Sequence, residues 1–340
     1  MNWKKLLAVM LLGVFTLGFV VGCGGSNSGE QNGEQSEQPA GEGGDEPLKV
    51  ALLTEGAVND GGWNASALRS LNAIEEQFGA EIAYTEKVER AQMEQVLRTY
   101  ARQGFDVIFG HGFQFSEPIE TVAKEFPETK FIAVNGYVSG DNYYSTNFKF
   151  GELGYFTGMT AGLMTKSNVV GMVAAVESPT VTADVDTFIQ GAKEVNPDVE
   201  VLVSYVGSWE DIPKAKESAQ AQLSKNADVI LVMGNSFSIG VFQACEDAGA
   251  YSIGWVDDQS SMSDTVITCG LQDVGTVYLE MVRMAKEGTL ESKVYNFGMN
   301  DNNAQSLSPF SDDVPQEVQD QVNQAIQDYL DGNLTLDLKY

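Results

Sequence analysis

The chain is poor in the residues that catalytic triads, metal sites and nucleic-acid interfaces depend on. Its 340 residues include one histidine and three cysteines. Lysine and arginine number 20 against 48 aspartates and glutamates, which gives a formal net charge of −28. Nucleic-acid binding needs cations in excess to neutralise phosphates, so nucleic acid is excluded as a partner. We find no metal-ligand spacing, expect no cofactor, and interpret the lone His111 as a polar residue at the rim of a site.

The only long apolar run lies at the N-terminus. It spans residues 6–21, follows two lysines and ends in VVGC at Cys23. Sixteen apolar residues are short for a membrane span, whereas a positive start and a small-residue end are typical of a signal peptide. The VVGC ending resembles a bacterial lipobox, which predicts a lipoprotein signal peptide at 1–22 and a palmitate-type lipid on Cys23. The alternative is an ordinary signal peptide or short anchor with an incidental cysteine.

The segment after Cys23 has nothing with which to build a core. Residues 24–47 contain glycine, serine, glutamine, asparagine and acids, but no lysine, arginine or large apolar residue. Such a composition predicts a disordered acidic tether at 23–47 between a lipid and a soluble body. The two remaining cysteines, Cys245 and Cys269, lie in apolar segments. We expect two buried thiols, with a disulfide as the alternative.

The rest of the chain alternates short apolar runs with helix-like stretches, and does so twice. GFDVIFGHG at 104–112 aligns with NADVILVMG at 226–234. Continuous apolar runs between helices are typical of parallel strands covered on both faces. The predicted strands are Lys49–Leu53, Ile82–Tyr84, Asp106–Phe109 and Phe131–Val134, then Val169–Val173, Glu200–Val206, Asp228–Val232 and Ser252–Val256.

This repetition predicts an α/β protein with two doubly wound lobes, parallel sheets and an interlobe cleft. We place the first lobe at 48–165 and the second at 166–260. Residues 261–340 are expected to return to the lobes and end in a C-terminal helix. Ligands of open parallel sheets bind beyond the carboxyl ends of the strands. The loops at those ends should therefore line the cleft, and the two lobes should close on a ligand by hinge motion.

The predicted cleft loops combine aromatic residues with amides, carboxylates and glycine, and they offer few cations. Aromatic faces stack on flat rings, while a phosphate or carboxylate would call for Arg, Lys or a helix N-terminus. A small, neutral, planar and polar ligand fits best. In the NDGGWN loop at 59–64, Gly61 and Gly62 would let the backbone turn and Trp63 cover one face of the ligand. The alternative is a buried Trp63 that packs the first helix on the sheet.

Several of these motifs, in order, resemble one known family. DGGW at 60–63, KEFPETKFIAVNGY, VNPDVEVLVSYVGSWEDIPKAKE and IGWVDDQS are similar to the basic membrane lipoprotein family, the PnrA-like substrate-binding proteins of ABC transporters. The resemblance covers about residues 48–288. It implies a type I periplasmic-binding-protein fold, capture of purine nucleosides or bases, ABC permease subunits as partners, and a lipid-anchored location on the outer side of the cell membrane.

The resemblance also assigns site residues motif by motif. Asp60, Trp63 and Asn64 fall where the family holds its base, and Asp257 where an aspartate often takes ribose hydroxyls. A lysine of many nucleoside binders is replaced by Gln272, so a free base and a nucleoside both stay open. The predicted ligand-binding set is Asp60, Trp63, Asn64, Gly112, Phe113, Trp209, Asn235, Asp257 and Gln272.

Three other functions are compatible with the same fold. A sugar-binding protein would also use tryptophan stacking with aspartate and asparagine. A sensory receptor could use the cleft without a transporter, because fold does not fix function. An enzyme could draw an acid/base pair from Asp60, Glu177, Asp257 and Asp258. With one histidine in the chain, we expect no enzyme.

Overall fold

The computed structural model describes residues 47–338, which form two six-stranded sheets. The predicted signal peptide, Cys23 and almost all of the tether lie outside the described residues. Short 3₁₀ helices at Arg90–Gln92, Phe113–Phe115 and Ser260–Met262 supplement the elements below.

The first lobe is built on an entirely parallel sheet. Its strands are β1 Lys49–Thr54, β2 Glu81–Thr85, β3 Val107–His111, β4 Lys130–Val134, β5 Tyr143–Phe148 and β11 Val294–Phe297. The helices that pack on it are α1 Trp63–Phe78, α2 Met93–Arg102, α3 Ser116–Ala123 and α8 Val274–Glu287. The strand order is β2-β1-β3-β4-β5-β11.

The second lobe repeats this order. Its strands are β6 Val169–Ala174, β7 Glu200–Tyr205, β8 Val229–Met233, β9 Tyr251–Val256, β10 Val266–Gln272 and β12 Gln305–Leu307. Its helices are α4 Glu152–Met164, α5 Pro179–Val195, α6 Ile212–Leu223, α7 Ser238–Ala248 and α9 Gln316–Leu330. The order is β7-β6-β8-β9-β10-β12, with β12 antiparallel to β10. The predicted α/β duplication is confirmed.

The apolar strands are covered on both faces, as their sequence pattern predicts. Successive residues of β1 point to opposite sides of the sheet. Leu52 packs with Phe109 in the core under α1 and α8, whereas Leu53 packs with Phe131 in the core under α2 and α3. Full burial of one such side chain contributes about 1.5–3 kcal/mol. The rigid strand ends produced in this way carry the loops of the cleft.

Three connections join the lobes, and one buried carboxylate links the first of them to the third. The chain crosses after β5, after β10 and after β11. Glu152, at the first crossing, accepts hydrogen bonds from Met299 N at 2.8 Å, Gln305 Nε2 at 2.7 Å and the Tyr329 hydroxyl at 2.6 Å. Burial raises the pKa of Glu152, and these hydrogen bonds oppose the rise. The carboxylate thus joins the start of α4, the connection after β11 and α9.

Helix α4 belongs by its packing to the second lobe. A β-carbon at Gly154 or Gly158 would overlap the carbonyls of Asp184 or Phe188 on α5. The bare glycine faces therefore let the two helix backbones approach closely. The sequence pattern predicts the lobe boundary at residue 165, whereas the chain leaves the first sheet before α4 begins.

Both cysteines of the described part are free and buried. Burial raises the pKa of Cys245 to about 12 and that of Cys269 to about 11. The interpretation as two buried thiols is confirmed, and the disulfide alternative is wrong.

Candidate ligand-binding site

The loops at the carboxyl ends of the two sheets meet across the interlobe cleft. A β-carbon at Gly62 of the first lobe would lie 3.9 Å from Cα of Asn235 in the second. The Asn235 amide donates to the Trp209 carbonyl at 3.2 Å. Arg69 of α1 contacts Asp257 after β9. The structure therefore brings most of the predicted site residues of both lobes to one region.

Asp60 is engaged in starting helix α1. One carboxylate oxygen accepts from Gly62 N at 3.0 Å and Ala65 N at 2.9 Å. The other accepts from Asn64 N at 3.0 Å and Asn64 Nδ2 at 2.8 Å. A carboxylate at a helix start satisfies amides that have no partner within the helix and favours the helix dipole. Asp60 and the buried Asn64 thus fix the loop that presents Trp63.

The backbone of this loop explains its glycine pair. Gly61 has a φ of 70°, in the left-handed region that glycine adopts without strain. Gly62 directly precedes the helix and faces the second lobe, where a β-carbon would come into ordinary van der Waals contact with Asn235.

Trp63 lies on an imidazole of its own lobe. The rings of Trp63 and His111 stack with centroids 4.1 Å apart and an interplanar angle of 24°. Trp63 is half-buried and packs against the cores of both lobes. It therefore packs the first helix on the sheet, as the alternative interpretation expected, and also lies where the lobes meet.

His111 is the last residue of β3 and is 2% exposed. The interpretation as a polar rim residue is wrong, because the ring lies beneath Trp63 rather than on the rim. Its Nε2 is 3.0 Å from the Trp63 carbonyl, and its Nδ1 is 2.9 Å from the Tyr278 hydroxyl of α8. A carbonyl only accepts, so Nε2 carries the proton and Tyr278 donates to Nδ1. Burial lowers the pKa of His111 to about 3, and the ring is neutral near pH 7.

Two aromatic residues of the first lobe lie exposed at the ends of neighbouring strands. Gly112 adopts a φ of 134°, open only to glycine, and turns the chain from β3 into Phe113. Phe113 is 55% exposed, and Tyr137 after β4 is 59% exposed. These two rings are available to a ligand or to the opposite lobe.

The second lobe contributes a less engaged aromatic residue. Trp209 follows β7 and is 37% exposed. Asp211 caps α6 through Lys214 N at 3.1 Å, and the turn before it leaves the indole outside the core. Asn235 is half-buried and is held through its backbone by Trp209 and Ser238.

Gln272 is placed away from the rim. It is the last residue of β10, is 7% exposed and pairs in the antiparallel ladder with Gln305 at a crossing. This position puts Gln272 beside the connections between the lobes, where a hinge motion would change the backbone conformation.

The structure adds residues that the sequence pattern did not single out. Arg69 supplies a cation at the cleft, but it lies within a helix rather than on a loop. Tyr278 lies on α8, far along the chain from the ring that it orients. Asn135, after β4, has a φ of 55° and a buried Oδ1 without a partner among the described residues. Its place after a strand of the first lobe was the available signal.

The acid/base alternative gains no support from this geometry. The Asp60 carboxylate accepts four hydrogen bonds from its own loop, and that of Asp257 is paired with Arg69. Both nitrogens of His111 are bonded and its ring is covered by Trp63. Within residues 47–338, no group of three or more His, Cys, Asp or Glu side chains is arranged to hold a metal ion.

Comparison with known proteins gives a consistent family. The family model described as "ABC transporter substrate-binding protein PnrA-like" matches residues 48–331. Three relatives are each 30% identical to this chain. They are the transcriptional activator protein med of Bacillus subtilis (83% of this chain, 88% of the relative), a purine-binding protein of Brucella abortus (81% and 78%), and a putative ABC transporter glucose-binding protein of Haloferax volcanii (90% and 80%).

Solved structures agree on the fold. A transcriptional activator of the comK gene from Bacillus halodurans is 32% identical, with a TM-score of 0.77 over 84% of this chain and 99% of that one. A solute-binding protein of an ABC transporter system from Conexibacter woesei is 28% identical, with a TM-score of 0.72 over 86% and 99%. The predicted two-lobed solute-binding architecture is confirmed.

Proposed function

Because this chain belongs to the family of PnrA-like ABC transporter substrate-binding proteins, we propose that it captures a purine base or nucleoside between its lobes and delivers it to a permease. The family consists of solute-binding proteins rather than enzymes. When two hinged lobes close on a ligand, they shield it from solvent, and a permease can recognise the closed conformation.

The observation that carries the purine proposal is the set of aromatic faces at the cleft. Trp63 stacks on His111 in the first lobe, and Trp209 is 37% exposed in the second. The Trp209 carbonyl accepts from Asn235 N, and Asn235 faces Gly62, the neighbour of Trp63, across the cleft. Stacking of a base on an aromatic ring contributes about 1–3 kcal/mol. The polar edge of the base would bind the side-chain amide of Asn235 and Oδ1 of Asn135, which has no partner within residues 47–338.

A sugar is the second candidate, because one relative at 30% identity is named as glucose-binding. Tryptophan with aspartate and asparagine suits a pyranose as well as a purine. The two candidates differ in what they ask of the aromatic pair: a purine is flat on both faces and fits between two rings, whereas a sugar offers hydroxyls around its edge.

The direct test is calorimetric titration of the purified full chain. Adenine, guanine and hypoxanthine, their nucleosides, and glucose are titrated separately, with the change in tryptophan fluorescence as a second readout. Binding of a purine with quenching that is lost in W209A supports the proposal. Heat from glucose alone favours the sugar candidate, and no signal from any purine refutes the purine assignment.

We further propose that the protein is held at the outer face of the cell membrane by a lipid on Cys23. The lipobox-like end of the apolar run and the acidic tether at 23–47 support this. Between residues 47 and 338, no helix is both long and apolar enough to cross a bilayer. Mass spectrometry of the intact mature chain should show acylation at Cys23. An unmodified chain that still begins at Met1 would contradict it.

A further inference from the structure

The contact between Arg69 and Asp257 joins the two lobes across the cleft. Nη2 of Arg69 donates to the two carboxylate oxygens of Asp257 at 2.7 and 2.6 Å. Arg69 lies on α1, less than two turns after Trp63. Asp257 directly follows β9 of the second lobe. The pair therefore forms when the lobes are close, and it lies on the helix that presents the stacking residue.

Asp257 is held in place by a fixed turn. Its amide donates to the Trp255 carbonyl at 3.0 Å, and Val256 between them has a φ of 71°. This is a γ-turn with positive φ at a β-branched residue, a strained backbone that persists only when its surroundings hold it. The buried Gln259 does so: its Oε1 accepts from Trp255 N at 3.2 Å, and its amide donates to Cys269 Sγ at 3.3 Å.

The pair has a chemical consequence for the ligand. A carboxylate in a cleft is an acceptor for the hydroxyls of a ribose or another diol. Here each oxygen of Asp257 already accepts a charge-assisted N–H bond, which is stronger than a bond from a neutral hydroxyl. Arg69 takes one acceptor position on each oxygen, so a nucleoside must share this carboxylate with Arg69 or displace it, whereas a free base leaves the pair intact.

We propose that Arg69 is a specificity-determining residue, which occupies Asp257 in the closed cleft and thereby favours a free purine base over its nucleoside. The inference rests on the proposed function for the class of ligand and goes beyond it by choosing between base and nucleoside. Arg69 is 57% exposed at its side chain. High salt should therefore weaken the pair and reduce the preference.

The test compares dissociation constants of the full chain for adenine, guanine and hypoxanthine with those for adenosine, guanosine and inosine. We expect the wild type to bind the bases at least about tenfold more tightly, or about 1.4 kcal/mol. R69Q should bring the two classes within about twofold by improving nucleoside binding. The matched control is R90Q, which breaks the exposed Arg90–Glu117 pair of the first lobe and should keep the wild-type ratio.

The role of Asp257 is tested by combining the changes. The gain of nucleoside affinity in R69Q requires the freed carboxylate, so it should vanish in the double variant R69Q/D257N. A ratio in R69Q equal to that of the wild type overturns the inference, and so does a gain that survives in the double variant. R69K keeps the charge but replaces the planar guanidinium by an ammonium group, so it should lie between wild type and R69Q. It is the variant to use if R69Q does not fold.

Failure of the proposed function gives a different result. If the wild type binds neither bases nor nucleosides, the purine assignment fails. The contact is then measured without ligand by small-angle X-ray scattering. R69Q, but not R90Q, should increase the radius of gyration of the wild-type chain. An equal radius in all three proteins would mean that Arg69 does not hold Asp257 in solution, and it would overturn the inference.

Discussion

Trp63 and Trp209 are the same side chain in two opposite settings. Trp63 stacks on His111, is half-buried and contacts the cores of both lobes. The backbone carbonyl of Trp209 accepts a hydrogen bond from Asn235 N, and the residue is 37% exposed. The difference indicates that the two lobes contribute differently. The Trp63 ring of the first lobe is already fixed by its packing, whereas the Trp209 ring of the second lobe can still be ordered by a ligand.

The largest expected effect separates the two indoles. W63A should lower the free energy of unfolding by about 3 kcal/mol, since it empties a site shared by two cores, and it should abolish ligand binding. W209A should change the unfolding free energy by less than about 0.5 kcal/mol, since its ring is not in the core. We expect it to weaken binding by about 1–3 kcal/mol. Urea denaturation and calorimetry measure the two quantities.

Equal losses of unfolding free energy in W63A and W209A would contradict the different roles inferred for the two tryptophans. A useful intermediate is W63F, which keeps a ring over His111. It should recover most of the stability, and its binding shows how much of the indole surface the ligand uses.

The next prediction concerns the pH dependence of stability, because each lobe buries a titratable group and the two pKa values shift in opposite directions. In the first lobe, burial lowers the pKa of His111 from 6.5 to about 3. The unfolded chain then binds more protons between these values, so this group makes stability rise with pH. In the second lobe, burial raises the pKa of Asp184 from 3.8 to about 7. The folded chain binds more protons there, so this group makes stability fall with pH. Each slope is at most about 1.4 kcal/mol per pH unit.

The two slopes oppose each other between about pH 4 and 6.5 and are separated by mutation. The stability difference between wild type and D184N should shrink as the pH rises through this range. The difference between wild type and H111N should grow. Urea titrations at half-unit intervals measure both, and parallel curves for all three proteins would contradict the assignment. Because His111 is the only histidine, ¹⁵N NMR can also read its tautomer directly, with Nε2 protonated.

A smaller effect compares helix caps of the two lobes. Asp60 caps α1 through three backbone amides, whereas Asp211 caps α6 through one. D60A should therefore cost about 2 kcal/mol of unfolding free energy and D211A about 1 kcal/mol. Thermal melts of both variants provide the measurement. A smaller loss in D60A than in D211A would show that the Asp60 network does not order the Trp63 loop.

The smallest signal comes from the thiols, which lie only in the second lobe within residues 47–338. Cys245 and Cys269 are buried with raised pKa values, so neither should react with a disulfide reagent in the native chain at pH 8. In denaturant, two thiols should react if Cys23 carries a lipid, and three if it does not. Rapid labelling of the native protein would contradict the packing of this lobe.

The fold was readable from sequence where burial is two-sided. Short runs such as VILVM of β8, which lie between helix-like stretches, are typical of a strand covered on both faces. The YYSTNF run of β5 and the three-residue β12 carry no such pattern, because they lie toward sheet edges and pair through backbone groups. The boundary after α4 was displaced for a related reason: glycines show that a helix packs closely, but not against which lobe.

The site was readable only in part. Loop position predicts that Trp63, Trp209 and Asn235 converge, because strand ends of a parallel sheet share an edge. It does not predict that Asp60 would cap its own helix, since a cap and a ligand contact need the same residue in the same place. Arg69 and Tyr278 are helical residues whose roles depend on partners 188 and 167 positions further along or back in the chain. Sequence spacing contains no record of such contacts.

The order of the connections constrains how the protein matures. The sheet of the first lobe is completed by β11 at Val294–Phe297, and its helix α8 arrives only at Val274–Glu287. A chain made from its N-terminus must therefore hold the first lobe without α8 and β11 while β6 to β10 of the second lobe are synthesised. The second lobe can assemble early around β6 to β10, and the Trp63 surface acquires its Tyr278 support among the last events. A chain that ends before residue 274 would accordingly be a target for chaperones and proteases.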